Sequence, residues 1–275
     1  MVRDYPLTCG LMVTSRDDAL IARTIAAEAA RVLLRLRANV DESHDTTAMF
    51  DAAALRAAGD AAAQKVISAA LGEAFPADSV LSEEAADNLE RLNAERVWII
   101  DPLDGTREFA ERRDDGKWRD DFAVHVALWT RSHGLALGVV GLPGRGVVHG
   151  SDVPPPLPPS PHATLRIAVS RTRPPEFIAA LKASGDAELV PMGSAGVKVL
   201  AVVSGEVDAY IHAGGQYQWD SAAPVAVAVA SGCIATRLDG SPLRYNERDL
   251  RLPDLVVCHP DRADEVRRLL AASGY

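Results

Sequence analysis

The chain has 275 residues and is 48% hydrophobic, enough to bury a substantial core in one large domain or two smaller ones. A formal charge of -9 gives no general attraction for a nucleic-acid polymer or an anionic membrane, so a phosphorylated ligand must be held by local basic groups or by a cation. Cys9, Cys233 and Cys258 lack the spacing of a thiolate metal site or a disulfide scaffold and fit a reducing, cytoplasmic setting.

Residues 1–14 read as a disordered leader. Leu7-Thr8-Cys9-Gly10 follows a polar, charged Met1 to Tyr5 instead of an apolar signal segment, and Met12 offers a second start just ahead of a capping pattern from Ser15 to Asp18. From Asp17 to Ala38, Leu20, Ile21, Ile25, Val32, Leu33 and Leu36 recur at helical spacing and predict one long amphipathic helix. A second helix is expected after Asp60, over Gln64 to Leu71, ended by Pro76. Ser79 to Ser82 reads as a short strand that delivers Glu83 at its tip.

Val97-Trp98-Ile99-Ile100 is an apolar strand that stops at the turn Asp101-Pro102-Leu103-Asp104-Gly105-Thr106. Beyond it, Phe122 to Thr130, Leu135 to Leu142 and Gly146 to His149 read as strands, with a hairpin turn at Gly144-Arg145-Gly146. The acidic insertion Glu111 to Asp121 lacks calcium-loop spacing and reads as a solvated surface loop. Six prolines between Ser151 and Ala163 sustain neither helix nor central strand, which predicts an α+β half over 15–152, a linker over 153–162 and an α/β half over 163–275. In that second half, strands at Thr164–Ser170, Glu188–Pro191 and Val207–His212 alternate with helices at Pro174–Ala183, Ser194–Val203 and Asp220–Ser231, so the fold class is α/β with layered packing. No segment is long enough to span a bilayer.

Hard divalent cations take oxygen ligands, and paired-cation phosphoesterases hold two ions about 3.5–4 Å apart with a carboxylate between them. Asp101 suits the bridge, because the Pro102 turn aims Asp101, the Leu103 carbonyl and Asp104 at one point while Gly105 lets the backbone approach closely. Gly105 and Thr106 N–H groups opening a helix would cradle a phosphate. Plainer readings exist: Pro-Leu-Asp-Gly as a solvated β-turn, Glu83-Glu84 as first-turn acids of a helix toward Leu92, and Asp220 as a helix N-cap. A carboxylate abutting buried Ile99 and Ile100 needs a partner or a cation, which weakens the first of these.

Ser82-Glu83-Glu84, Trp98 to Thr106 and Trp219-Asp220-Ser221-Ala222-Ala223 together resemble the inositol monophosphatase family of lithium-sensitive, magnesium-dependent phosphatases, over residues 15–275. The resemblance implies a layered αβαβα sandwich of the inositol monophosphatase and fructose-1,6-bisphosphatase type. Asp104 to Phe109 is similar to the Asp-Gly-Thr-Lys/Arg-Glu-Phe form of bacterial 3'(2'),5'-bisphosphate nucleotidases, which implies 3'-phosphoadenosine 5'-phosphate (PAP), and its sulfated relative, as substrate. It further implies two or three Mg2+ on Glu83, Asp101, the Leu103 carbonyl, Asp104 and Asp220, inhibition by Li+, and a metal-activated water oriented and deprotonated by Glu83 and Thr106 with Asp60 in support. Asp104, Gly105, Thr106, Arg173, Gly193, Ser194, Lys198 and His212 are the implied substrate contacts. Ala213 stands where inositol monophosphatases carry an acid for inositol hydroxyls, and Leu55 to Gly59 replaces the family's usual lysine-containing segment.

Lys198 stands out independently: one of only four lysines, it sits in the apolar run Val197 to Val203, where a snorkelling side chain is the plainer alternative. Inositol phosphate or fructose bisphosphate as sole or additional substrate, and a non-catalytic phosphometabolite sensor, remain the competing functions. A homodimer is left open.

Overall fold

A computed structural model describes residues 16–42, 50–172 and 187–274. The proposed leader, Met12, Ser15, Arg173 and the helix expected at 174–183 lie outside the described residues. Helix α1 (Arg16–Glu42) turns Ala22, Ile25, Ala26, Ala29 and Leu33 inward and carries Asp17 and Asp18 in its first turn, where acids favour the helix dipole. Helix α2 (Ala52–Ala74) starts well before the expected Gln64, capped by Asp51, whose carboxylate accepts from the Ala53 and Ala54 N–H groups. Its alanines favour helix but erase the apolar periodicity, so Asp60, expected ahead of the helix, sits in mid-helix.

The first sheet runs β1 (Ser79–Ser82), β2 (Arg96–Asp104), β3 (Ala123–Thr130), β4 (Gly134–Leu142) and β5 (Val147–Gly150), in that order. Only β1 and β2 are parallel. The expected hairpin turn at Gly144-Arg145-Gly146 joins antiparallel β4 and β5, as a 3-10 turn over Pro143–Arg145 closed by Gly146. After β1 the chain makes a turn rather than the helix toward Leu92, with only a 3-10 segment at Glu90–Asn93.

The second sheet contains β6 (Leu165–Ser170), β7 (Ala187–Met192), β8 (Ala209–Tyr217), β9 (Ile234–Thr236) and β10 (Arg251–Cys258), in the order β7-β6-β8-β10-β9. Strand β8 continues past the expected His212 to Tyr217 and runs straight into helix α5 (Gln218–Ala230). Helices α4 (Ala195–Val203) and α5 pack between the sheets; α5 touches β2, β3 and β4 on one side and β8, β9 and β10 on the other. Helix α6 (Ala263–Ala272) buries Val266 and Leu270 on the far face of the second sheet, against Val256 and Ile211. With α1 and α2 outside the first sheet, the layers are αβαβα.

The middle core joins Leu81, Val97 and Ile99 from before the proline run to Val199, Leu200 and Ala222 from after it. Burial of this kind contributes roughly 1.5–3 kcal/mol for each large aliphatic side chain. The interior is therefore continuous across the proline segment, and the site forms where α4 and α5 start between the sheets.

Candidate active site

Strand β2 carries its apolar run as far as Ile100 and then exposes neither of the next carboxylates: Asp101 is 1% and Asp104 8% exposed. Pairing with β3 slips between Asp101 and Asp104, a local irregularity that turns both side chains toward one end of the sandwich. The Asp101 carboxylate accepts from the Leu103 N–H at 3.1 Å, which closes the turn. Gly105 adopts φ 87, the left-handed region, and a Cβ there would press on the Asp121 carbonyl and Ser194. Helix α3 (Thr106–Phe109) begins directly after it.

Helix α5 brings Asp220 to the same place. It is not the N-cap; it occupies the third helical position and accepts from the Tyr217 N–H at 2.6 Å, which leaves its other oxygen to face the turn. Ligand atoms of Asp101, Asp104 and Asp220 lie within 4.8 Å of one another. Glu83, just past the tip of β1, faces Asp101 from beside that cluster and is exposed. Burial, reinforced by the neighbouring carboxylates, raises Asp101 well above the usual range, Asp220 to about 8 and Glu83 to about 7. Asp101 Oδ2 is buried with no hydrogen-bond partner. An oxygen-only donor set with an orphaned buried carboxylate oxygen and mutual repulsion fits a hard divalent cation.

Thr106 Oγ1 stands between the Leu103 carbonyl, at 3.0 Å, and Asp60 Oδ1, at 3.4 Å. Burial first, and then the Glu84 charge, push Asp60 up to about 6. The opposite wall comes from the start of α4. Ser194 holds φ 52, a strained value for a non-glycine residue at roughly 1–3 kcal/mol, and its hydroxyl donates to Asp104. The Gly196 N–H also donates to Asp104 at 2.7 Å.

Lys198 is 5% exposed and donates to the Ser194 carbonyl at 2.6 Å and to the Gly193 carbonyl at 3.3 Å, so it is an interior cation rather than a snorkelling surface one. Burial lowers its pKa, while Asp104, Glu108, Asp121 and Asp220 oppose that shift. Glu83, Asp104, Gly105, Thr106, Lys198 and Asp220 line one cavity of about 470 Å³. Gly193, Ser194 and His212 line it as well.

Three further residues belong to the site. Asp121, taken for part of a solvated loop, is buried; it accepts from the Gly193 N–H at 2.8 Å and pairs with Arg171. Arg171 also donates to Glu108 at 2.9 Å, tying α3 to β6. His125 is fully buried behind the carboxylates. Asp121 precedes the apolar run from Phe122 and His125 interrupts it, the same signal that drew attention to Asp101.

Residues 16–272 match the inositol monophosphatase family, a metal-dependent family. A 3'-phosphoadenosine 5'-phosphate phosphatase of Mycobacterium tuberculosis is 47% identical over 243 residues, 86% of each chain. The 3'(2'),5'-bisphosphate nucleotidase CysQ of Escherichia coli is 32% identical over 205 residues, 70% of this chain and 80% of that one. The crystal structure of CysQ from Bacteroides thetaiotaomicron superposes with a TM-score of 0.73 at 27% identity, covering 88% of this chain and 97% of that one. In sequence and in fold, the chain belongs to the inositol monophosphatase family.

Proposed function

We propose that the chain is a magnesium-dependent phosphatase that hydrolyses the 3'-phosphate of PAP, and of its sulfated relative, to leave the 5'-phosphorylated nucleoside and inorganic phosphate. The observation that carries this reading is the group of Asp101, Asp104 and Asp220, within 4.8 Å of one another, of which Asp104 and Asp220 line a cavity that also holds the buried cation Lys198. The names of the mycobacterial and enterobacterial relatives support the nucleotide substrate.

Glu83, Asp101, the Leu103 carbonyl, Asp104 and Asp220 would hold the cations. Bound there, divalent ions supply Lewis acidity to the phosphoryl oxygens and lower the pKa of water. Thr106 and Glu83 orient the attacking water. Its proton passes to Glu83 or to the Thr106–Asp60 pair, the bond between phosphorus and the 3' oxygen breaks, and that oxygen takes up a proton. On the opposite wall, Lys198, Gly193, Ser194 and His212 receive the remainder of the nucleotide; Arg173, outside the described residues, is a further proposed contact. Asp104, Gly105 and Thr106 meet the scissile phosphate.

A cytoplasmic setting fits the free, buried Cys233 and Cys258. Among the described residues no helix is long and apolar enough to cross a membrane.

The deciding experiment measures phosphate release by purified protein from PAP, inositol 1-phosphate and fructose 1,6-bisphosphate, with and without Mg2+. PAP is expected to give the highest kcat/KM, with Li+ inhibiting. Higher efficiency on either sugar phosphate would overturn the substrate, and tight PAP binding with no release at saturating Mg2+ would make the protein a sensor.

A further inference from the structure

His125 joins the two segments that deliver the carboxylates. On β3 it pairs directly across from Asp101, and its ring is 0% exposed. Nδ1 lies 3.1 Å from the Trp219 carbonyl oxygen, and because a carbonyl only accepts, Nδ1 donates. Nε2 lies 3.3 Å from Asp104 Oδ2, a packing contact without a hydrogen bond. Asp101 Oδ2 is 4.0 Å from Nδ1. One imidazole thus touches Asp104, sits beside Asp101, and holds the backbone one residue before Asp220.

The surroundings are shaped to this ring. A Cβ on Gly196 would fall 2.1 Å from Nε2, so α4 can descend onto the histidine only with glycine at that position. The Gly196 N–H then reaches the same Asp104 oxygen that Nε2 faces. Trp219 is itself buried, which fixes the carbonyl that accepts from Nδ1. Three carboxylates at this spacing repel one another, and the turn after β2 and the start of α5 would relax apart unless something behind them sets their separation.

We propose that His125 is a positioning residue for the cation site. The ring sets the spacing between the Asp104 turn and the start of α5, so that the carboxylates are assembled before any cation arrives. It acts through Asp104 and Trp219 and touches neither substrate nor cation. The inference rests on the metal-phosphatase reading above. Groups that orient ligands from behind typically contribute 10- to 100-fold in metal affinity.

The test uses the full chain with Mn2+ as the probe. Free Mn2+ is followed by electron paramagnetic resonance and Mg2+ affinity by competition, alongside circular dichroism, thermal unfolding and PAP turnover. His125→Ala is expected to weaken Mn2+ binding roughly 10-fold or more while keeping the native spectrum, and at saturating metal the KM for PAP is expected to change less than about twofold. His125→Asn keeps a donor for the Trp219 carbonyl but not the contact with Asp104, so its affinity falls between. Gly196→Ala, which displaces the ring, reproduces the metal defect, and it carries the test together with His125→Asn if His125→Ala does not fold.

Mn2+ affinity of folded His125→Ala within about twofold of the parent overturns the proposal and leaves the phosphatase reading intact. A parent that binds Mn2+ but does not hydrolyse PAP overturns the substrate reading and leaves this one standing.

Discussion

Thr106 and Asp60 meet across 46 positions of sequence, Oγ1 to Oδ1 at 3.4 Å, because mid-helix α2 packs beside the first turn of α3. With the Leu103 carbonyl also 3.0 Å away, the Thr106 hydroxyl can donate to one partner and keep its lone pairs for a water proton. Removing the hydroxyl or the acceptor should cost on the order of 100-fold or more in kcat, the usual contribution of a placed proton-transfer group. Thr106→Ala and Asp60→Asn are expected to show that loss at saturating Mg2+, and Thr106→Ser to retain most activity. Turnover of Asp60→Asn within threefold of the parent would take Asp60 out of the mechanism.

Asp101 illustrates a conflict between stability and function. Its Oδ2 is buried without a partner and burial beside other carboxylates raises its pKa, so at neutral pH the cation-free fold bears the cost of protonating the group or of burying its charge. Asp101→Asn removes that charge while preserving shape. Metal-free Asp101→Asn is expected to melt higher than the metal-free parent, by roughly 2–4 °C for each kcal/mol of relieved repulsion, and to lose nearly all PAP turnover. A lower melting point in calorimetry would show that the carboxylate is structurally favourable there.

The turn from Asp101 to Thr106 was legible because an unbroken apolar strand ended on charges that no nearby residue could neutralise. Lys198 was legible for the same reason: a lone cation within an apolar run. Helix α2 is not, because alanine favours helix without marking a face, so the sequence places no helix start ahead of Asp60. Strand β8, expected to end at His212, passes through Gly214 and Gly215 and pairs with β10 as far as Tyr217. Asp121 and Arg171 meet across 50 positions, a pairing that depends on tertiary packing and leaves no local pattern.

The raised acids set a pH dependence for the metal-free protein. Glu83 at about 7 and Asp220 at about 8 hold protons in the folded state that their unfolded counterparts release near pH 4. Folded protein therefore binds more protons between pH 4 and 8, so stability falls as pH rises through that window and levels off above it. Differential scanning calorimetry in chelator should show the melting temperature decreasing from pH 5 to pH 8. Mg2+ should reverse the loss most strongly at the upper end, by roughly 5 °C at a hundredfold excess over its Kd. A metal-free melting temperature that rises across this range would contradict the carboxylate repulsion described here.

Lys198 is the proposed contact for the second phosphate of the proposed substrate. Its ammonium group is buried on the cavity wall, held by the Gly193 and Ser194 carbonyls, 97 positions from Asp101 along the chain. Lys198→Met keeps most of the volume and removes the charge. The KM for PAP is expected to rise about tenfold or more, in keeping with loss of a charge-assisted contact of about 1.5–3 kcal/mol, while a 3'-monophosphate lacking the 5' group should be little affected. Equal effects on both compounds would place Lys198 in the architecture of α4 instead of at the second phosphate.

Arg37 links the outer helix to the short helix α3 beside the carboxylate cluster. From α1 its guanidinium donates to the carbonyls of Phe109 at 2.7 Å, Arg119 at 2.7 Å and Glu108 at 3.0 Å, and it lies 4.2 Å over the Phe122 ring. Two of those carbonyls end α3, a one-turn helix too short to persist alone, and a cation at its C-terminus also suits its dipole. Arg37→Met removes three hydrogen bonds, at about 1 kcal/mol each, although the Glu108 carbonyl keeps the Glu111 N–H, and should cost roughly 3 kcal/mol in urea unfolding. Lysine cannot reproduce the planar fork, so Arg37→Lys should recover little. Because α3 opens at Thr106, kcat for PAP is expected to fall in both variants, even under conditions where they remain fully folded. Unchanged kcat in a folded Arg37→Met would show that the Thr106 turn holds its geometry without support from α1.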